Sequence, residues 1–278
     1  MRLSALTYAV VTVATAAVLV YPGAGGHAAE KQAAPIAPAA SAAPDADKLP
    51  DDAWGRAVRH GRDLMTRTYG LIGPEVGDPY LRYAGNNLAC TNCHLDSGTS
   101  PFGLPLRGVA AAYPGFNQRS GRVITLQERV NQCMTRSMAG RALPPDSPAM
   151  VAFLSYLRFI SDGVPVGKAV ARAAPLPAPP SPPNAANGAR VFKETCAACH
   201  GEQGQGIRNG TVGDAKGYQF PPLWGPDSFN RHAGMGRVAI ASSFIHGNMP
   251  AGTTPDQPVL SVQAAWDVAA YIDAQDRP

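Results

Sequence analysis

Two five-residue runs decide the reading of this chain: Cys90-Thr91-Asn92-Cys93-His94 and Cys196-Ala197-Ala198-Cys199-His200. With five Cys and six His in 278 residues, chance supplies about 0.002 such pentads, so two mark a repeated device. Two thiols three positions apart reach the two vinyl groups of one porphyrin, and the next imidazole then lies beneath the iron. C-x-x-C pairs also hold zinc, but here a His follows each pair at once. A disulfide within each pair would leave both histidines unexplained. The pentads therefore imply two covalently bound haems c, attached through Cys90, Cys93, Cys196 and Cys199, with His94 and His200 as iron ligands.

Working outward, both halves share one plan: a helical approach, the pentad, a long Gly- and Pro-containing loop, and a closing amphipathic helix. The first closing helix begins at Ser147-Pro148 and runs through Phe153, Leu157 and Ile160; the second begins at Ser261 and runs through Trp266, Val268 and Ile272. No stretch alternates in the manner of a strand, so the fold class is mainly α: two class I cytochrome c-like domains joined by a Pro/Ala-rich linker. Six prolines between Pro175 and Pro183 favour an extended connector. The expected organisation is a signal peptide at 1–28, a flexible Ala/Pro-rich spacer at 29–50, a first domain at 51–165, a linker at 166–185 and a second domain at 186–278.

The signal peptide is read from Arg2, the apolar run Ala5–Val20 and the break at Tyr21-Pro22-Gly23, and it places the mature protein in the periplasm. The apolar run is short for a membrane span, so no stable membrane insertion is expected after cleavage. Cleavage removes Arg2 and no acid, leaving 23 basic against 20 acidic residues, a net charge of +3 that is no nucleic-acid signature.

Four cysteines belong to the pentads, which leaves Cys133 as an odd thiol in an oxidising compartment. Thr125-Leu126-Gln127-Glu128 is a capping box, and Gly140 marks the expected end of a helix of about four turns with Cys133 near its middle. On that helix Arg129, Cys133 and Ser137 fall at i, i+4 and i+8, presenting a cation, a thiol and a hydroxyl in a row. Cys133 lies 39 residues beyond His94, far enough to bring it over the first haem as a distal ligand, whereas Met134 and Met138 project elsewhere. A thiolate ligand lowers the iron potential and puts a sulfur nucleophile beside a redox centre. At the second haem, Met249 in Asn248-Met249-Pro250 is the expected thioether ligand, with Met235 and His246 as rivals.

GNNLACTNCHLDSGT, RVNQCMTRSMAG, YQFPPLWGPDSFN and FIHGNMP before AAWDVAAYI together resemble the dihaem thiosulfate dehydrogenases, some of which act as tetrathionate reductases. The resemblance covers residues 52–277 and implies catalytic roles for Cys133 as a ligand of the active-site haem and for Arg119, Arg129 and Ser137 around an anion pocket. Arg107 and Arg122 are further cations near that segment. It implies that two thiosulfates are coupled to tetrathionate, reversibly in some relatives, with electrons leaving through the second haem to a soluble cytochrome or similar acceptor. Asn248 stands where some relatives carry Lys, and Ala139 where Asn is expected. The alternatives are a dihaem protein that only relays electrons, and a subunit of a multi-protein sulfur-oxidising complex.

Overall fold

The computed structural model describes residues 43–168 and 175–278; the signal peptide read at 1–28 lies outside them, as does the spacer up to residue 42. The capping signals place the helices. The Asp52 carboxylate accepts from the Gly55 amide at 2.7 Å and opens α1 (Ala53–Thr66). Thr125 and Glu128 close a reciprocal capping box, at 3.2 and 2.8 Å, at the start of α2 (Leu126–Arg136). Ser147 caps α3 (Pro148–Phe159), with proline in its first turn. In the second half Asn184 caps α4 (Ala185–Val191), α5 spans Val238–Asn248, and Ser261 caps α6 (Val262–Asp273).

Helix α1 packs on α3, and α4 on α6. Both crossings are set by a glycine: a Cβ on Gly61 would stand 2.1 Å from the Ala152 carbonyl oxygen, and one on Gly188 would stand 2.0 Å from that of Asp267. No side chain fits at either point, and the repeated plan of the sequence is thus a repeated helix–helix contact. Val58, Leu64, Phe153 and Ile160, with Met134 from α2, fill the first core. Val191, Phe192, Ile245, Val268 and Ile272 fill the second, backed by Trp224 with its ring 4.9 Å from that of Phe192.

Three expectations need correction. Two short antiparallel hairpins are present: β1 (Gly115–Asn117) with β2 (Arg122–Ile124), and β3 (Ile207–Arg208) with β4 (Tyr218–Phe220). Strands of two or three residues are too short to show alternation, which is why the sequence does not reveal them. Helix α2 ends at Arg136, a turn earlier than Gly140 suggests. Ala139 adopts a left-handed conformation, φ 47°, and the Gly140 amide turns back to the Met134 carbonyl at 2.9 Å. Finally, the end of the spacer is folded: Ala46 is buried in the first core, and Asp47 pairs with Arg62 at 2.8 Å.

The proline-rich stretch lies against the second half, the indole Nε1 of Trp266 donating to the Pro177 carbonyl at 2.9 Å and the Ser181 amide to Gln263 Oε1 at 2.9 Å. The halves themselves interlock. Phe229 and Ala233, from the loop before α5, are buried in the first core. Beside them Arg208 bridges Glu75 at 2.8 Å and Asp227 at 3.2 Å, the Tyr218 hydroxyl donates to Asp227 at 2.7 Å, and the Asn87 amide donates to Asp227 at 2.9 Å. Asn86 Nδ2 donates at 3.0 Å to the carbonyls of both Ser137 and Ser228.

Candidate active site

Each pentad is built on a short helical turn, Cys90–Asn92 in the first half and Ala197–His200 in the second. Nδ1 of His94 donates to the Leu104 carbonyl at 2.6 Å, and Nδ1 of His200 donates to the Pro221 carbonyl at 2.8 Å. In that tautomer the lone pair sits on Nε2, and a carbonyl behind an iron-ligating imidazole fixes its ring and raises its basicity. Burial pushes the His200 imidazole below its ordinary pKa, the neutral form a metal ligand requires. None of the five cysteines forms a disulfide. Burial drives the Cys90 thiol up to about 11, the Cys93 thiol up to about 12 and the Cys196 thiol up to about 11. Paired thiols held apolar and unoxidised beside an oriented histidine suit covalent attachment of a haem.

The C-terminal part of α2 faces the first pentad. Met134 of α2 and Met138 just beyond it fill the first core, and Cys90 packs against that same core, which brings the segment carrying the odd thiol beside the pentad. Nη1 of Arg129, one turn back on α2, donates to Cys133 Sγ at 3.0 Å. That sulfur is the chief cause of the rise in the Arg129 pKa, with the Tyr113 hydroxyl adding to it. Ser137 is the C-cap of α2 but keeps helical torsions (φ −65°, ψ −37°), so the row Arg129, Cys133, Ser137 survives the early helix end. Arg119, on the turn between β1 and β2, reaches across to the second half, where its Nη1 donates to the His232 carbonyl at 3.0 Å.

Arg122 is drawn off by Glu128 at 2.6 Å and leaves the field around Cys133. Arg136 takes its place. Its pKa is lowered by partial burial and then by the charges of Arg119 and Arg129, and Cys133 offsets part of the fall. Arg136 thus lies within the electrostatic reach of Arg119, Arg129 and Cys133. The i, i+4, i+8 pattern overlooks Arg136 because it sits at i+7 from Arg129, a position on the same helix face. Tyr113 lies outside any helix periodicity and had no sequence signal.

In the second half Met249 follows the last residue of α5, gives its amide to the Ile245 carbonyl at 2.8 Å and packs against the second core. Met235 packs between the two cores. The Asn248 side chain is employed as a tether, its Nδ2 donating to the Phe102 carbonyl in the first half at 3.1 Å and to the Phe244 carbonyl at 2.8 Å.

Two helical halves, each wrapping a pentad with a carbonyl-anchored histidine, define a dihaem cytochrome c. The family models agree: the SoxA/TsdA cytochrome c domain matches residues 81–166 and cytochrome c matches residues 185–276, so the chain carries two covalently bound haems c. It is 40% identical over 239 residues to the thiosulfate dehydrogenase of Thiomonas intermedia, across 84% of this chain and 70% of that protein. It is 39% identical over 241 residues to the thiosulfate dehydrogenase of Allochromatium vinosum, across 84% of this chain and 83% of that one. The solved thiosulfate dehydrogenase TsdBA of Marichromatium purpuratum superposes with a TM-score of 0.74 at 35% identity, over 86% of this chain and half (50%) of that chain. The chain belongs to the thiosulfate dehydrogenase family.

Proposed function

We propose that this chain is a periplasmic thiosulfate dehydrogenase that joins two thiosulfates into tetrathionate beside Cys133. Each dianion loses one electron, one S–S bond forms between the outer sulfurs, no proton is moved, and two S2O3 dianions become one S4O6 dianion. Cys90, Cys93, His94 and Cys133 would hold the first haem, and Cys196, Cys199, His200 and Met249 the second; the two haems would supply one-electron acceptors and an exit toward a soluble cytochrome.

The protein's own part is electrostatic. Bringing two dianions together requires compensating charge in a partly desolvated pocket, and preorganised cations supply it without reorganisation. Arg129 holds the Cys133 sulfur in place, Arg119 closes the pocket from the hairpin, and Ser137 offers a hydroxyl one turn beyond the thiol. The observation that carries this reading is a cysteine outside both pentads, on a helix packed into the same core as Cys90, whose sulfur accepts from Arg129 at 3.0 Å.

The test is Cys133→Gly, prepared as the dihaem protein and assayed for tetrathionate with ferricyanide as acceptor. Thiosulfate-coupling activity should be lost while both haems remain attached. Full activity in that variant refutes the assignment, and a wild-type protein that forms no tetrathionate would reduce it to an electron relay.

A further inference from the structure

Asn230 closes the YQFPPLWGPDSFN stretch of the second half and meets the helix that carries Cys133 in the first. An α-helix ends with four carbonyls that its own amides do not reach. At the end of α2 the chain meets most of this need locally. The Cys133 carbonyl accepts from the amides of Ser137 and Met138, the Met134 carbonyl from Gly140 at 2.9 Å, and the Arg136 carbonyl from Ala139 at 3.2 Å. The left-handed turn at Ala139 sends that amide to Arg136 and so passes over Thr135. The Thr135 carbonyl is met instead by Asn230 Nδ2 at 2.9 Å, across 95 positions of sequence. The Asn230 backbone amide adds a second bond to the Arg136 carbonyl at 3.2 Å. One residue of the second half thus caps the last turn of α2, and that turn begins at Cys133.

The cap is itself held firmly. Asn230 Oδ1 accepts from the His232 amide at 2.9 Å, which fixes which end of the side chain faces α2. On one side of it Phe229 is buried, with the Arg277 guanidinium 4.5 Å over its ring; on the other the Arg231 amide donates to the Pro278 carbonyl at 3.0 Å. Asn86 Nδ2 ties the Ser137 carbonyl, just beyond α2, to the Ser228 carbonyl of the same loop. Arg129 restrains the thiol from one turn before it, at the sulfur, and Asn230 restrains the backbone at the turn after it. We propose that Asn230 is a positioning residue for Cys133: by capping α2 from the second half it sets where the thiol stands relative to the first pentad. This rests on the reading of Cys133 as the reaction site. Asn230 moves no electron and no proton; it acts through α2, and through it the second half becomes part of the reaction site.

The test uses the dihaem protein with Asn230→Asp and Asn230→Ala. Asp keeps the shape and the bond from His232 but turns an acceptor toward the Thr135 carbonyl, whereas Ala removes both side-chain bonds. The last turn of α2 then frays, and hydrogen exchange at the amides of Ser137, Met138 and Gly140 accelerates about tenfold. Low-temperature EPR of the ferric protein shows the low-spin signal of the first haem divided between two populations and that of the second unchanged. Misplacing a reacting group costs rate more than affinity, so kcat falls about tenfold or more while KM changes less than about threefold. Asp52→Ala, which removes the cap of α1 in the same half, lowers Tm but keeps wild-type haem signals and kcat. Wild-type EPR and kcat in both Asn230 variants overturn the proposal. So does the same divided signal in Asp52→Ala, since the effect is then loss of stability alone. Loss of activity in Cys133→Gly together with normal Asn230 variants removes this inference and leaves the reaction site. Tetrathionate formation by Cys133→Gly removes the reaction-site reading, and exchange at residues 137–140 still decides whether Asn230 caps α2.

Discussion

Replacing Arg208 with Met tests whether the two halves are held together by the charge cluster at their junction. Arg208 is 19% exposed, Glu75 11% and Asp227 24%, so the carboxylates are largely removed from water and depend on the guanidinium between them. Removing one partner of a buried pair costs about 3–5 kcal/mol, and the residual exposure here brings the figure to about 2–3 kcal/mol. For a chain of this size that corresponds to a fall in Tm of about 5–10 °C. The pH dependence gives a sharper signature. Burial pushes the Glu75 carboxyl up, but Arg208 and the amides of Gly213 and Ala215 more than offset it, and the net pKa lies below the ordinary value. In wild type this group contributes stability that is present above the unfolded pKa and lost as pH falls through the lowered folded pKa. Without Arg208 the burial remains and the folded pKa moves upward, so the stability this group contributes above the unfolded pKa shrinks. Thermal melts followed by circular dichroism at pH 4 and pH 7 should show a larger deficit at pH 7. A deficit below about 1 °C, or one equal at both values, refutes the reasoning.

Ala139→Gly should stabilise the protein by about 0.5–1 kcal/mol and raise Tm by about 1–4 °C, because the alanine sits at φ 47° where a Cβ is penalised; an unchanged or lower melt would count against it. Ala139→Asn should move in the same direction, since asparagine enters that region more readily than alanine. Burial lifts the Asp273 carboxyl to about 6, with Arg277 at 3.8 Å offsetting only part of the rise. The native state therefore keeps a proton that the unfolded chain releases from about pH 4, and stability from this group declines by at most about 2–3 kcal/mol as pH rises to about 6. Melts of Asp273→Asn across that window should lose this decline, and a profile parallel to wild type would exclude Asp273 as its source.

The features legible in the sequence are those encoded by neighbours along the chain. The pentads, the capping residues Ser147, Ser261 and Thr125, and the Arg129–Cys133–Ser137 row all depend on separations of eight residues or fewer. The end of α2 was misplaced because alanine gives no sign of a left-handed turn; asparagine at 139 would have announced it. Arg136 was legible in principle, one position before the end of the row, but its significance depends on Arg119 arriving from a hairpin of three-residue strands. The junction was not legible at all. Asn86, Asn87 and Asp227 read as parts of family motifs, and their shared role needs contacts spanning some 140 residues of chain.

Phe229 and Ala233 give the chain two boundaries that do not coincide. The covalent division falls at the proline-rich stretch, but the packing division falls some fifty residues later, because the loop carrying these two side chains belongs to the second half in sequence and to the first in space. The two cytochrome units are therefore not exchangeable cassettes. A recombinant that joins this first half to a foreign electron-transfer domain inherits an open wall in its core unless residues 226–235 travel with it. During synthesis, likewise, the first hydrophobic core stays incomplete until the second half has been made.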